Sequence, residues 1–163
     1  MIQPVPISRL FNLQNQNPMK LKYITFAVAT LCAAASLHAE KIVAGPKGGR
    51  LLESEPLKAE FFVTADRKVE ITFYDVALKP VDAGAQVVTV TAEPGSGKVK
   101  LDLEKTATGF VSKTALPVGE PYRVVVQTRA SADAKPKNFR VDLNLEMCGE
   151  CQKKEYACIC EAH

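Results

Sequence analysis

Between Arg50 and Leu145 apolar and polar residues alternate with a period of two, and helical spacing hardly appears. Successive side chains of a strand point to opposite faces, so this pattern confines the chain to half-buried β-strands. In Lys68 to Tyr74, Val69, Ile71 and Phe73 face one way and Glu70 and Thr72 the other. In Lys98 to Glu104, Val99, Leu101 and Leu103 are the inward set. In Asn138 to Glu146, Phe139, Val141, Leu143 and Leu145 alternate with charged or polar neighbours. Gln86 to Ala92 and Tyr122 to Arg129 are rich in Val and Thr, which suit a pleated surface. Shorter candidates are Arg50 to Glu53, Ala59 to Thr64 and Gly109 to Lys113. Turn chemistry separates these runs, as at Asp82-Ala83-Gly84, Glu93-Pro94-Gly95-Ser96-Gly97 and Lys135-Pro136-Lys137. The expected fold is all-β: an immunoglobulin-like antiparallel β-sandwich of seven or eight strands, with a small barrel as the alternative. One face of each strand should be buried and the other wet.

After Leu145 the alternation stops and a cysteine-rich tail begins, Cys148-Gly-Glu-Cys151 followed by Cys158-Ile-Cys160 and ending at His163. Four thiols fall within thirteen residues. Cys-x2-Cys makes a tight knuckle, Cys-x-Cys a tighter one, and the six residues between them can loop back. Four thiolates suit tetrahedral zinc, with sulfur at ~2.3 Å. Soft thiolates also select copper(I). Cys148, Cys151, Cys158 and Cys160 are the candidate ligands, with His163 as a possible further donor, for one zinc or copper(I) ion per chain. The segment has few apolar residues for a core of its own, so a metal would offset its ordering entropy. A pair of disulfides between the two halves stays open as the rival, and mixed redox use as a third reading.

The first 39 residues read as export machinery. Met19-Lys-Leu-Lys22 is a basic start, Tyr23 to Ala35 is apolar and uncharged, and Leu37-His38-Ala39 precedes Glu40 as a cleavage site. The apolar run is shorter than the ~20 residues of a membrane span. Met1 to Pro18 does not fit a signal, so Met19 is the expected start and cleavage is expected after Ala39. That places the protein in the periplasm or outside the cell, where disulfides can also form. The organisation expected is 40–47 as a linker, 48–146 as the β-domain and 147–163 as the tail. The chain carries 21 Lys and Arg against 18 Asp and Glu, but Arg9, Lys20 and Lys22 lie in the leader, which has no acid. The remaining residues, 163 less 39 or 124, are therefore balanced at 18 against 18. Without a basic surplus the electrostatic footprint of nucleic-acid binding is missing.

Several motifs read as ordinary structure. Gly95-Ser96-Gly97-Lys98 lacks the rest of a phosphate loop, because Ala92 and Val99 stand where Gly and Ser or Thr are needed. Cys148-Gly-Glu-Cys151 follows a strand and not a βα unit, so a thioredoxin-like role is disfavoured. Asp75, Asp82 and Glu93 sit near turns. Between His38 and His163 there is no histidine, which disfavours Ser-His or Cys-His chemistry. The chain is read as a binding protein and not an enzyme.

Gly48-Gly49-Arg50-Leu51-Leu52-Glu53, Ala59-Glu60-Phe61-Phe62-Val63, Lys68 to Asp75 and Lys79-Pro80-Val81 together resemble small exported β-domains. Such domains accompany the periplasmic adaptors of heavy-metal efflux pumps of the resistance-nodulation-division type. The resemblance covers about Gly48 to Leu145 and implies an envelope protein linked to transition-metal handling. Its partner would be an efflux or metal-handling protein of the envelope. The adaptor's coiled-coil hairpin and lipoyl parts are absent, so the role implied is that of an accessory protein. The cysteine tail is not a constant feature of those domains.

Overall fold

The structure, a computed structural model, describes residues 41–160. The leader, the expected start and cleavage sites, and His163 lie outside the described residues. The described chain runs through ten strands: β1 (Val43–Ala44), β2 (Arg50–Leu52), β3 (Lys58–Val63), β4 (Val69–Tyr74), β5 (Val87–Glu93), β6 (Val99–Leu101), β7 (Leu103–Lys105), β8 (Gly109–Ser112), β9 (Tyr122–Arg129) and β10 (Lys137–Leu143). The one helical element among them is a 3-10 turn, Glu155–Ala157. No helix among the described residues is long and apolar enough to cross a membrane.

The strands form two sheets, β1-β2-β3-β4-β8-β7 and β10-β9-β5-β6, with every pairing antiparallel. Period-two patterning decides what each sheet buries. Ala59, Phe61, Val69, Ile71 and Phe73 from the first meet Val88, Val90, Val124, Val126, Val141 and Leu143 from the second in one core. Each such side chain, fully buried, stabilises by about 1.5–3 kcal/mol if large. The arrangement is sandwich-like: two sheets over a shared apolar layer.

Three expectations need correction. Lys98 to Glu104 is not one strand. It breaks at Asp102, with β6 pairing β5 (Val90 opposite Leu101) and β7 pairing β8 (Leu103 opposite Ser112). The chain thus crosses from one sheet to the other, and the freed Asp102 carbonyl accepts Lys113 N–H at 2.8 Å. Val99, at the outer end of a three-residue edge strand, is exposed and not inward. Asn138 to Glu146 also ends early, at Leu143. The Asn144 side chain accepts Glu146 N–H at 2.9 Å and turns the chain out of the sheet. These changes, with β1, make ten strands where seven or eight were expected.

The third correction concerns the wet face. β3 and β4 bury residues on both sides, including Glu60, Thr72 and Tyr74. The segment expected to be a linker at 40–47 instead pairs through β1 with β2 and, with the residues up to Gly49, folds over that outer face. Its amides meet the Glu60 carboxylate: Lys47 N–H donates at 3.0 and 3.1 Å and Gly49 N–H at 2.7 Å. The Tyr74 hydroxyl donates to the same carboxylate at 2.8 Å. Burial first, and the hydrogen bond to Glu60 second, push the Tyr74 phenol well above its ordinary pKa. Tyr74 is therefore part of an internal network.

The turn residues behave as read. Gly95 to Lys98 links β5 to β6, with Gly97 N–H on Pro94 O at 2.9 Å and Gly97 at φ 125°, a conformation that favours glycine. Asp75 accepts Ala77 and Lys79 N–H, Asp82 accepts Gly84 N–H, and Glu93 pairs with Lys98 at 2.7 Å.

Candidate metal centre

Beyond β10 the chain folds back on itself. Met147 and Lys154 form an antiparallel bridge, and Cys148 N–H donates to Lys153 O at 2.7 Å. Between them lies the knuckle Gly149 to Gln152, closed by Gln152 at φ 55°. A non-glycine residue in that left-handed region costs roughly 1–2 kcal/mol, so the turn is held by what surrounds it. The turn Glu155–Ala157 follows, tied to the domain by Glu155 N–H on Glu146 O (2.9 Å) and Tyr156 N–H on Asn144 O (3.2 Å). Cys158 N–H then donates to Glu155 O at 3.1 Å. Cys158 itself is extended, so Cys158 and Cys160 share a side and Ile159 faces out, where it is exposed.

This path brings together the four cysteines singled out by spacing. Their sulfurs all lie within 4.8 Å of one another. Cys148 Sγ is 2.8 Å from Cys158 and 3.8 Å from Cys160, and Cys151 Sγ is 3.6 Å from Cys158. Cys148 is buried and the other three are half-buried. All four are free thiols.

The donor set fits a soft tetrahedral ion. Sulfurs at ~2.3 Å from a central zinc stand about 3.8 Å apart along each tetrahedral edge. Two of the three close distances already match, and seating an ion would widen the Cys148–Cys158 approach by about 1 Å. Backbone donors are also aimed at sulfur. The N–H groups of Ile159 and Lys153 reach Cys151, and that of Cys160 reaches Cys158. Such donors favour thiolate over thiol. With the backbone of Ile159 contributing most, the Cys151 thiol is pulled down to about 6. Cys158 is held above its ordinary value, chiefly by its hydrogen bond with Cys148, and burial pushes Cys160 up.

A reactivity order follows for the metal-free protein. The thiolate is the nucleophile. Cys151 should therefore be alkylated first by iodoacetamide at neutral pH. Its rate should climb as pH rises through about 6 and level above, while Cys158 and Cys160 stay slow. Peptide mapping after brief labelling checks this, and equal labelling of all four would contradict it.

Two side chains at the site escaped the sequence reading. Glu150 lies against Cys160, where its carboxylate helps to raise that thiol. Tyr156 sits in the core, 2 % exposed, with its hydroxyl accepting Val63 N–H at 3.0 Å and its ring edge-on to Phe61 at 5.5 Å. An aromatic residue between two cysteine pairs in a polar stretch was the available signal for the second. For the first there was none beyond proximity in sequence to Cys151.

Comparison with family models, with curated proteins and with solved structures finds no match to this chain.

Proposed function

We propose that this is an exported accessory protein of envelope metal homeostasis that holds one zinc or copper(I) ion through Cys148, Cys151, Cys158 and Cys160. The observation that carries the reading is the convergence of four free sulfurs within 4.8 Å, three of them half-buried. Four thiolates at near-tetrahedral spacing favour zinc, and the same soft donors accept copper(I) at lower coordination number. The leader-like first 39 residues support export to the periplasm or beyond. The order β4-β8-β7 facing β10-β9-β5-β6 supports an immunoglobulin-like sandwich, because it follows the B-E-D and G-F-C-C′ orders of those domains. His163 is a further donor in this reading, and the partner is an efflux or metal-handling protein of the envelope.

The test is metal and thiol content measured together on protein isolated from the envelope without chelator. One zinc or copper per chain is expected, with four thiols reacting only after metal removal. A second reading has its own support: Cys148 and Cys158 approach to 2.8 Å, which favours a disulfide-stapled interaction domain without metal. No metal and no free thiols in the same measurement would establish it.

A further inference from the structure

We infer that Tyr156 is the positioning residue of this centre, seating the second cysteine pair on the sandwich so that the metal meets a preformed site. The inference rests on the metal-binding reading. Tyr156 and Ala157 belong to the same apolar core as Phe61, Ile71 and Val141. They occupy the turn from which the chain runs directly into Cys158 and Cys160. The ring packs edge-on against Phe61 of β3, and the hydroxyl takes the Val63 N–H of the same strand. On the other side of the turn, Asn144 O and Glu146 O accept the Tyr156 and Glu155 amides. That fixes the turn to the very segment that leads into Cys148. Both cysteine pairs are thereby tied to the same packed domain, although only Cys148 is itself buried.

A site held this way loses less conformational freedom on binding than a free tail would, and the saving appears as affinity. Removing the anchor should act as loss of an outer supporting contact does at other metal sites, at roughly 10- to 100-fold in affinity. The linkage is reciprocal: if Tyr156 favours metal, metal favours Tyr156 in its place. The Val63 amide reports that directly, because its acceptor is the Tyr156 hydroxyl.

The experiment uses the full chain, zinc as the probe and competition with a chromophoric zinc chelator. Tyr156→Ala should weaken zinc binding roughly 10- to 100-fold. Tyr156→Phe, which keeps the ring against Phe61 and loses only the hydroxyl, should restore most of it. Val90→Ala, in the opposite sheet, is the control for lost stability. It should lower the melting temperature while leaving zinc affinity unchanged, since a protein still almost wholly folded has nearly its full competent population. Amide exchange at Val63 should also slow on adding zinc to the wild-type chain. Wild-type affinity in Tyr156→Ala, equal weakening in Val90→Ala, or Val63 exchange indifferent to zinc would each overturn the inference. A wild-type chain that binds no zinc would fail before any variant is compared, and would remove a zinc centre itself.

Discussion

On the metal-binding reading, serine at both Cys151 and Cys160 should abolish zinc or copper(I) retention and leave the two-sheet domain folded. Four-thiolate sites bind zinc with apparent free energies of about 10–16 kcal/mol at neutral pH. Losing two of four sulfurs should remove on the order of 5 kcal/mol, or roughly three to four powers of ten in affinity. A variant so weakened should retain no ion through gel filtration, whereas the parent should keep one per chain. Neither cysteine contributes to the apolar core, so the far-ultraviolet spectrum of the β-domain should be preserved. The tail is where the damage should show. Its knuckle is closed by one bridge and one short hydrogen bond, Met147 to Lys154 and Cys148 to Lys153, around a left-handed Gln152. Amide exchange from Met147 onward should therefore accelerate in the variant, and in the parent after chelation. Because the native form alone presents the assembled site, the loaded parent should also melt later than the stripped one, by about 4 kcal/mol when free metal is a thousandfold above Kd. Unchanged metal content in the double variant would remove the centre from consideration.

The residues that were legible in advance are those governed by local pattern. Tyr122 to Arg129 has the bounds read from its Val and Thr content, because its inward set, Tyr122, Val124 and Val126, is uninterrupted. The four cysteines were legible because two short chelating spacings separated by six residues leave few other arrangements. What was not legible depends on partners remote in sequence. Alternation in Lys98 to Glu104 is real, but it cannot reveal that Leu101 pairs with Val90 while Leu103 pairs with Ser112. Strand length is decided there by which sheet has a vacant edge. Tyr156 reads as one of a few apolar residues in a polar tail, and only the fold places it beneath Val63, ninety-three positions earlier. Glu60 is the clearest case. In a strand reading it belongs on the wet face of Ala59 to Thr64, and by alternation it does point away from Phe61. The face is dry only because a Gly- and Pro-containing segment, which carries no strand pattern, lies over it.

That covering segment yields the second large effect: Glu60→Ala should destabilise the domain by about 3–4 kcal/mol. The carboxylate is fully buried and accepts from Lys47 N–H, Gly49 N–H and the Tyr74 hydroxyl. Truncation leaves three donors facing a hole, and each unsatisfied buried donor costs about 1–3 kcal/mol before water or relaxation recovers part of it. For a domain of this size that corresponds to a fall in melting temperature of about 10–20 °C. Glu60→Gln should cost only about 1 kcal/mol, since one oxygen still serves the two amides and the carboxamide can donate to the tyrosine oxygen. The gap between the two variants, read from urea midpoints, measures the network together with the volume that truncation removes. A second route reaches the same network from the loop. A Cβ at Gly45 would fall inside contact distance of the Glu60 carboxylate, so Gly45→Ala must lift the loop or displace the acid. Both changes break one set of contacts, so the double variant should be little worse than Glu60→Ala alone. Additive losses would mean that the loop and the carboxylate stabilise the domain independently. Glu60 would then be a tolerated buried polar side chain and not the group that holds 43–49 against the sheet.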